Sequence, residues 1–446
     1  MDTFFPQLMI AYLSSFRQAF SKPNWIYFQS FIFALLLVEG RKCVTNIAEV
    51  CFFVERSLSS FQRFLSEYHW DLTEVIDHLV RLFLRELKDE MKIYGAYLMA
   101  IDTSIVSKSS KKMIGIQKWR DHSGDADRGE YMIGHHWAIG AIISSFGDRF
   151  LCWPIFCRLI SGKLNPFCFV ATEDGKIRRA NIWDSATAIA FRIALSLGGI
   201  PSCGGPRMRV VVDAFFSRAP FINPMIEAGI DVISRLRHDA VGWDDPPFYC
   251  GRGRPRKKGR KWKLSDLLTA YTPEELKVNI YGKDCLVRCV VKDVWLREIS
   301  SKVKVVVIEG MKRPSILMST DLSLSAERII RIYASRFSLE IAIRDLKGHF
   351  GFGDYQCTSP IGFFRFIHLC CFSFCLWRLM LLPKNASSWI YKASPKMTFE
   401  SELSFARARR ALRRFVLGKI IFSKFAPEAN LQKIEDEFEP LFRIAA

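Results

Sequence analysis

Residues 333–347 read YASRFSLEIAIRDLK, an apolar helical run that carries Tyr333, Arg336, Glu340 and Lys347. At about 100° per residue these four side chains fall within roughly 60° of one another, one stripe nearly four turns long. A solvated helix face, laced by salt bridges at spacings of three and four, is the plain account of such a stripe. Against it, Glu340 is flanked by Leu339 and Ile341 in a helix apolar enough to be largely packed. One acid among cations on a packed helix suits a site that holds a metal-bound phosphate.

Working outward, two more acids end short apolar runs, Ala96 to Asp102 and Met208 to Asp213. Open α/β folds place ligands at the carboxyl ends of their strands. A single acid after a strand is an ordinary turn residue, so neither Asp102 nor Asp213 is informative alone. Between them, Gly134–Ile143 and Arg149–Phe156 read as strands, with Pro154 putting the second near an edge or bulge. Asn181–Leu197 reads as a helix stopped by Gly198 and Gly199, Phe221–Ala228 as another, and Asp231–Leu236 as a further strand. Three strands, helix, strand, helix, strand is an α/β order.

Residues 239–320 break that order. They hold GRGRPRKKGRKWK at 251–263, eight Lys or Arg in thirteen positions, then β-rich stretches at 286–291 and 303–308. A long helix over Ser325–Lys347 follows, then an apolar helix over about Phe364–Leu382 and a tail with Arg407, Arg409, Arg410, Arg413 and Arg414. Arg407, Arg410 and Arg414 share a helix face that could track DNA or simply be solvated. Residues 1–92 read as helices, with Thr45 and Ser57 (or Ser59) as N-caps of two short ones. A helix-turn-helix and a plain bundle are equally compatible with that pattern.

Over 446 residues the net charge is +19, half the residues are hydrophobic and 13% are aromatic. Such a chain folds, and its charge calls for a polyanionic partner, nucleic acid before an anionic membrane surface. Thirteen cysteines without a repeating framework fit reduced thiols. The cluster His368, Cys370, Cys371 and Cys375 lacks a second half-site for zinc and reads as buried structure. The apolar runs at Ile26–Val38 and Leu369–Trp377 fall short of the ~18 residues that span a bilayer. The expectation is a cytoplasmic, nucleoid-associated protein with no membrane.

The stripe resembles the tyrosine-arginine-glutamate-lysine signature, Y-x2-R-x3-E-x6-K, of bacterial insertion-sequence transposases of the DDE type. Asp213-Ala-Phe-Phe-Ser-Arg218-Ala-Pro-Phe221, Ser234-Arg235-Leu-Arg237-His-Asp239 and Gly253-Arg254-Pro255-Arg256 are similar too. The resemblance implies an α/β fold: a ribonuclease-H-like core over 93–238 and 321–385, the second part carrying the Glu helix. It implies a β-rich insertion with a basic hook over 239–320. Helical periodicity adds an N-terminal helical domain over 1–92, a candidate for DNA binding, and the tail arginines a basic C-terminal helical region over 386–446.

It further implies that Asp102, Asp213 and Glu340 are the catalytic carboxylates and hold two Mg2+ (or Mn2+) ions. The enzyme would nick transposon ends and join the freed 3′-hydroxyl to target DNA, as a homodimer on paired terminal inverted repeats. Tyr333, Arg336 and Lys347 would contact phosphates near the scissile bond. From the insertion, Arg252, Arg254, Arg256, Lys257 and Lys258 would clamp DNA. Trp243, Trp262 or Trp295, the last preferred, would stack on a flipped base or be structural. Arg218 could also approach the phosphates. An inactive or regulatory DNA-binding relic, and a ribonuclease-H-fold nuclease without strand transfer, are the other readings.

Overall fold

Met208-Arg-Val-Val-Val212 is buried at every position, and the sheet is organised around it. A computed structural model describes residues 5–51, 54–110, 112–120, 130–160, 169–171, 177–179, 181–248, 256–310, 313–386 and 405–425. They fall into two compact units, Phe83–Ile343 and Met1–Leu82 with Arg344–Ala446.

In the first unit the strands are β1 (Lys92–Ile93), β2 (Ala96–Ser107), β3 (Gln117–Arg120), β4 (Tyr131–Phe146), β5 (Arg149–Ile160), β6 (Phe169–Ala171), β7 (Ile177–Arg179) and β8 (Met208–Val212). They continue as β9 (Ile230–Leu236), β10 (Val241–Trp243), β11 (Lys261–Lys263), β12 (Glu274–Ile280), β13 (Lys283–Leu296), β14 (Lys302–Ile308) and β15 (Ser315–Ser319). Thirteen of them form one sheet, ordered β11-β10-β13-β14-β15-β9-β8-β2-β4-β3, with β1, β12 and β5 attached to β2, β13 and β4. Among the described strands only β8 runs parallel to its neighbours, β2 and β9. A strand flanked on both sides and covered on both faces has no solvated position, which accounts for the unbroken Val run. The 239–320 strands do not stand apart from this sheet but extend it through β15 and β9.

One face carries the helix Ile182–Ser196, whose Asn181 forms a capping box with Asp184. Gly140 lies under it because a Cβ there would collide with Ile189. Gly198 and Gly199, at φ of 116° and 118°, end this helix in a backbone that side chains resist. Asp102 alternates to the opposite face, next to Ile101, which is level with Gly140. That face is covered by the helix Ala326–Ser335, which packs on β8, β9, β12 and β15. Pro154 sits on β5, which pairs only with β4, at the register shift opposite Gly140 and Ala141.

Three expectations are corrected here. Asp102 is not at a strand end: β2 runs on to Ser107 because Thr103–Ser107 pair with Ala138–Gly134. The Ser325–Lys347 helix is two, Ala326–Ser335 capped by Ser325 and Phe337–His349, with a turn at Arg336. The strand read at 286–291 runs over Lys283–Leu296 as β13 and so includes Trp295.

The second unit is helical. Its described helices include Lys22–Leu37, Val44–Val50, Leu58–Ser66, Pro360–Met380 and Phe405–Phe425. Ser57 caps the third of these by accepting from Ser60 N–H, whereas the second has its N-cap position at Cys43 rather than Thr45, two residues early and with no side-chain cap. Phe28, Phe31 and Phe64 pack with Phe20 and Trp70 in an aromatic core. Arg365 donates to the carbonyls of Phe64, Leu65, Tyr68 and Trp70, satisfying groups a helix end leaves open.

The Pro360–Met380 helix is 21 residues long and apolar enough to cross a membrane by length and composition, longer than the run Leu369–Trp377 suggests. Here it is a core helix, with His368, Cys370, Cys371 and Cys375 all buried. In the tail helix the docking cations are Arg409 and Arg413, not the face expected for DNA. Arg409 is buried and donates to Leu36, Val38 and His349 carbonyls, and Arg413 to those of Leu37 and Val38 and to Glu39. Arg407 and Arg410 are exposed and Arg414 is half-buried.

Candidate active site

β2 and β8 are parallel neighbours with Ala100 level with Val211. Two residues on, Asp102 and Asp213 are therefore level as well, on strands about 4.8 Å apart. Asp213 is the first residue past β8, and its carbonyl accepts from Ser234 Oγ at 2.9 Å. Its carboxylate accepts from the Phe215 N–H at 3.1 Å, while that of Asp102 accepts from the Thr103 N–H at 2.7 Å.

The turn at Arg336 brings the third carboxylate in. Arg336 Nη1 donates to Asp102 Oδ2 at 3.0 Å and Nη2 to Glu340 Oε1 at 2.5 Å. The guanidinium thus bridges two acids, and it lies 5.8 Å from the Tyr333 ring centroid. Its Nε is buried without a partner. Burial raises the Asp102 pKa to about 6; Arg336 and the Thr103 N–H oppose the rise, and Asp213 and Glu340 add to it. Burial also raises Asp213, opposed by Arg336, by the N–H groups of Phe215 and Phe216, and by Arg235. Asp102 therefore feels both other acids, and the Arg336 guanidinium opposes the rise at Asp102 and at Asp213.

Two aromatic pairs flank the acids. At the tip of the β12–β13 hairpin, Tyr281 and Gly282 have φ of 54° and 77°, the left-handed pair a tight two-residue hairpin turn requires. The turn sets the Tyr281 ring edge-on to Phe337 at 5.5 Å, with the two residues 64% and 43% exposed. On the Asp213 side, Trp183 and Phe215 stack at 5.8 Å. None of these four was singled out from sequence, although Asn279-Ile-Tyr281-Gly282 carries a readable hairpin signal and Phe215 lies two residues from Asp213.

Asp102, Asp213, Arg336, Glu340 and Tyr333 are thus brought together. Lys347 falls two helical turns past Glu340 along Phe337–His349, within the other compact unit. Trp295 is not at the acids. The level row Ala100–Val211–Ile233–Ser319–Lys304–Asp293 crosses the sheet, with Asp102 and Asp213 two residues to one side of it and Trp295 two to the other. Four residues along (~13 Å) and four strands across (~19 Å) put it roughly 23 Å from Asp213, and Asp102 lies one strand farther. A long-range register, invisible to local spacing, sets that distance. Its Nε1 donates to Asp245 at 2.9 Å. Arg256 and Lys257 are exposed, Lys258 lies over Trp243 at 4.1 Å, and Arg218 is exposed at the start of the helix Ala219–Glu227. Arg252 and Arg254 lie outside the described residues.

A family model described as DDE superfamily endonuclease matches residues 15–283, more than half the chain. The chain belongs to this family. The match takes in Asp102 and Asp213 and ends before Glu340. No curated protein matches the chain. DDE endonucleases act on DNA and generally use divalent metals. Among the described residues no three acids, histidines or cysteines are gathered to hold a metal as they stand. The donor set nevertheless fits one: three carboxylates offer hard oxygen ligands, the other two each destabilise the charge on Asp102, and the cation that Asp102 and Glu340 now share is a side chain on a helical turn.

Proposed function

We propose that this DDE endonuclease is a DNA transposase that nicks the ends of an insertion sequence and joins the freed 3′-hydroxyl to target DNA. The observation that carries the reading is the level pair Asp102 and Asp213 with Glu340 tied to Asp102 through Arg336. Asp102, Asp213 and Glu340 would hold two Mg2+ or Mn2+ ions. When bound, such ions activate the attacking oxygen and stabilise the leaving oxygen of an in-line displacement at phosphorus.

The chain's own residues do the rest. The sheet holds both Asp carboxylates at fixed height, and the Phe337–His349 helix delivers Glu340. Arg336, once released from the acids, turns its five donors to a phosphate oxygen, for which a guanidinium is better shaped than an ammonium. Tyr333 would lie beside that phosphate, with Lys347 farther along the strand. Tyr281 with Phe337, rather than Trp295, is the aromatic pair set to receive an unstacked base next to the scissile bond. Arg256, Lys257 and Lys258, with Arg252 and Arg254, would grip the transposon-end duplex electrostatically. The terminal inverted repeats, the homodimer on paired ends and the domain scheme 1–92, 93–238, 239–320, 321–385 and 386–446 belong to the same reading.

The test is an assay with Mg2+, a donor plasmid carrying the flanking inverted repeats and a separate target. Strand-joined products bounded by a short target duplication are expected. Cleavage with no joined product would leave a nuclease without strand transfer.

A further inference from the structure

Asp102 and Asp213 stand level, but the chain holds them in different ways. Asp102 is inside β2, whose pairing with β4 continues past it to Ser107. Asp213 has no such rail: β8 ends at Val212, and the chain turns away at once through Ala214-Phe-Phe-Ser217. Within that turn the Phe216 N–H donates to the Asp213 carbonyl at 3.2 Å, and the Arg218 N–H to that of Phe216 at 2.7 Å. The Phe216 side chain is buried and pins the middle of the turn. Bonds inside a turn set its shape, not its place on the sheet.

Two serine hydroxyls tie the turn to β9. Ser234 is level with Val212 and fully buried. Its Oγ donates to the Asp213 carbonyl at 2.9 Å and lies 3.3 Å from the Arg235 carbonyl. Ser217, at the far end of the turn, reaches back. Its Oγ lies 2.8 Å from the Arg235 carbonyl and 2.9 Å from that of Ala214. Each hydroxyl has one proton to share between two carbonyls, and the Arg235 carbonyl is common to both. Neither hydroxyl bonds the Asp213 carboxylate, which accepts from the Phe215 N–H. They act on where that carboxylate stands and leave its oxygens to a cation.

We propose that Ser217 and Ser234 are positioning residues, a hydroxyl clip that holds Asp213 at the height of Asp102 so that both carboxylates ligate the same divalent ions. The inference rests on the metal-binding role proposed above for these acids. Small hard cations demand near-ideal ligand geometry, and a ligand just past a strand end has no ladder bonds to supply it. Partners one step removed from a metal ligand supply it instead. Without the clip, Phe216 would still anchor the turn, but the Asp213 carbonyl would lose its bond to β9 and the carboxylate would tilt with it.

The test reads metal binding without DNA or turnover. Mn2+ is titrated into the full chain at pH 8, and the free ion is followed by electron paramagnetic resonance. Ser217→Ala and Ser234→Ala should each raise the Mn2+ dissociation constant about tenfold, the scale on which such partners act. Ser217→Thr keeps a hydroxyl at a half-buried position and should restore most of the affinity. Ser144 on β4 is a control, since it is fully buried and accepts from Trp153 Nε1 at 2.8 Å. Ser144→Ala removes a buried hydroxyl away from the acids and should leave Mn2+ affinity within about twofold. If Ser234→Ala fails to fold, the Ser217 variants carry the test. Native affinity in Ser217→Ala, or an equal loss in Ser144→Ala, overturns the proposal. Asp213→Asn locates a failure. Loss of Mn2+ there with none in the serine variants overturns the clip alone, whereas native affinity in Asp213→Asn overturns the metal site on which the clip depends.

Discussion

Arg336→Gln is predicted to bind Mn2+ more tightly than the native chain. The guanidinium makes one hydrogen bond to Asp102 and one to Glu340. Hydrogen bonds to charged groups contribute about 1.5–3 kcal/mol each. The Arg336 and Asp102 side chains are 15% and 19% exposed, but that of Glu340 is 41% exposed and its share is screened by solvent. A cation entering among the acids must displace at least the Asp102 bond, so removing the arginine should lower the Mn2+ dissociation constant about 10- to 100-fold. Isothermal titration calorimetry at pH 8 reads this directly, since Asp102, with its pKa near 6, is ionised there. Arg336 also holds the Asp102 pKa down, so the variant must be kept well above pH 6. Equal or weaker Mn2+ binding by Arg336→Gln would refute the reasoning and make the arginine a builder of the site rather than its resident cation.

Metal binding should also depend on pH with a defined sign. Asp102 has its pKa raised from 3.8 to about 6 in the folded protein, so ionising it costs stability as pH rises through that window, and a bound divalent cation offsets the cost. Thermal melts with and without Mn2+ should therefore show a larger metal-induced stabilisation at pH 8 than at pH 5. At the other end of the strands, Arg209 Nη2 donates to Asp321 Oδ2 at 2.8 Å with side chains only 2% and 4% exposed. Asp321→Ala leaves that buried cation uncompensated and should cost about 3–5 kcal/mol in urea unfolding.

How much of this was legible before the fold was known follows from the range of each signal. Local signals were readable: Ser57 caps the helix expected of it, helices start where expected at Asn181 and Ser325, and Pro154 lies on the edge strand at a bulge. The Val run of β8 ending at Asp213 was equally plain. Helical periodicity, however, assumed one continuous helix from Ser325 to Lys347, whereas a turn at Arg336 points the guanidinium at Asp102. The partner lies 234 residues away, and no spacing rule reports it. The same limit misplaced Trp295, whose distance from the acids is fixed by four successive strand registers. In the tail, cations on one helix face suggested a polyanion, but Arg409 and Arg413 bind carbonyls of an adjacent helix end within their own unit.

Glu340 is the residue on which the account turns, because the family match ends at residue 283 while the proposed chemistry needs a third carboxylate. The decisive measurement is Mg2+-dependent nicking of a duplex that carries the terminal repeat, comparing the native chain with Glu340→Gln. Glutamine keeps the size of the side chain and an acceptor for Arg336, but not the charge. The account predicts that nicking is lost while binding of the duplex persists. Nicking at the native rate by Glu340→Gln would contradict it.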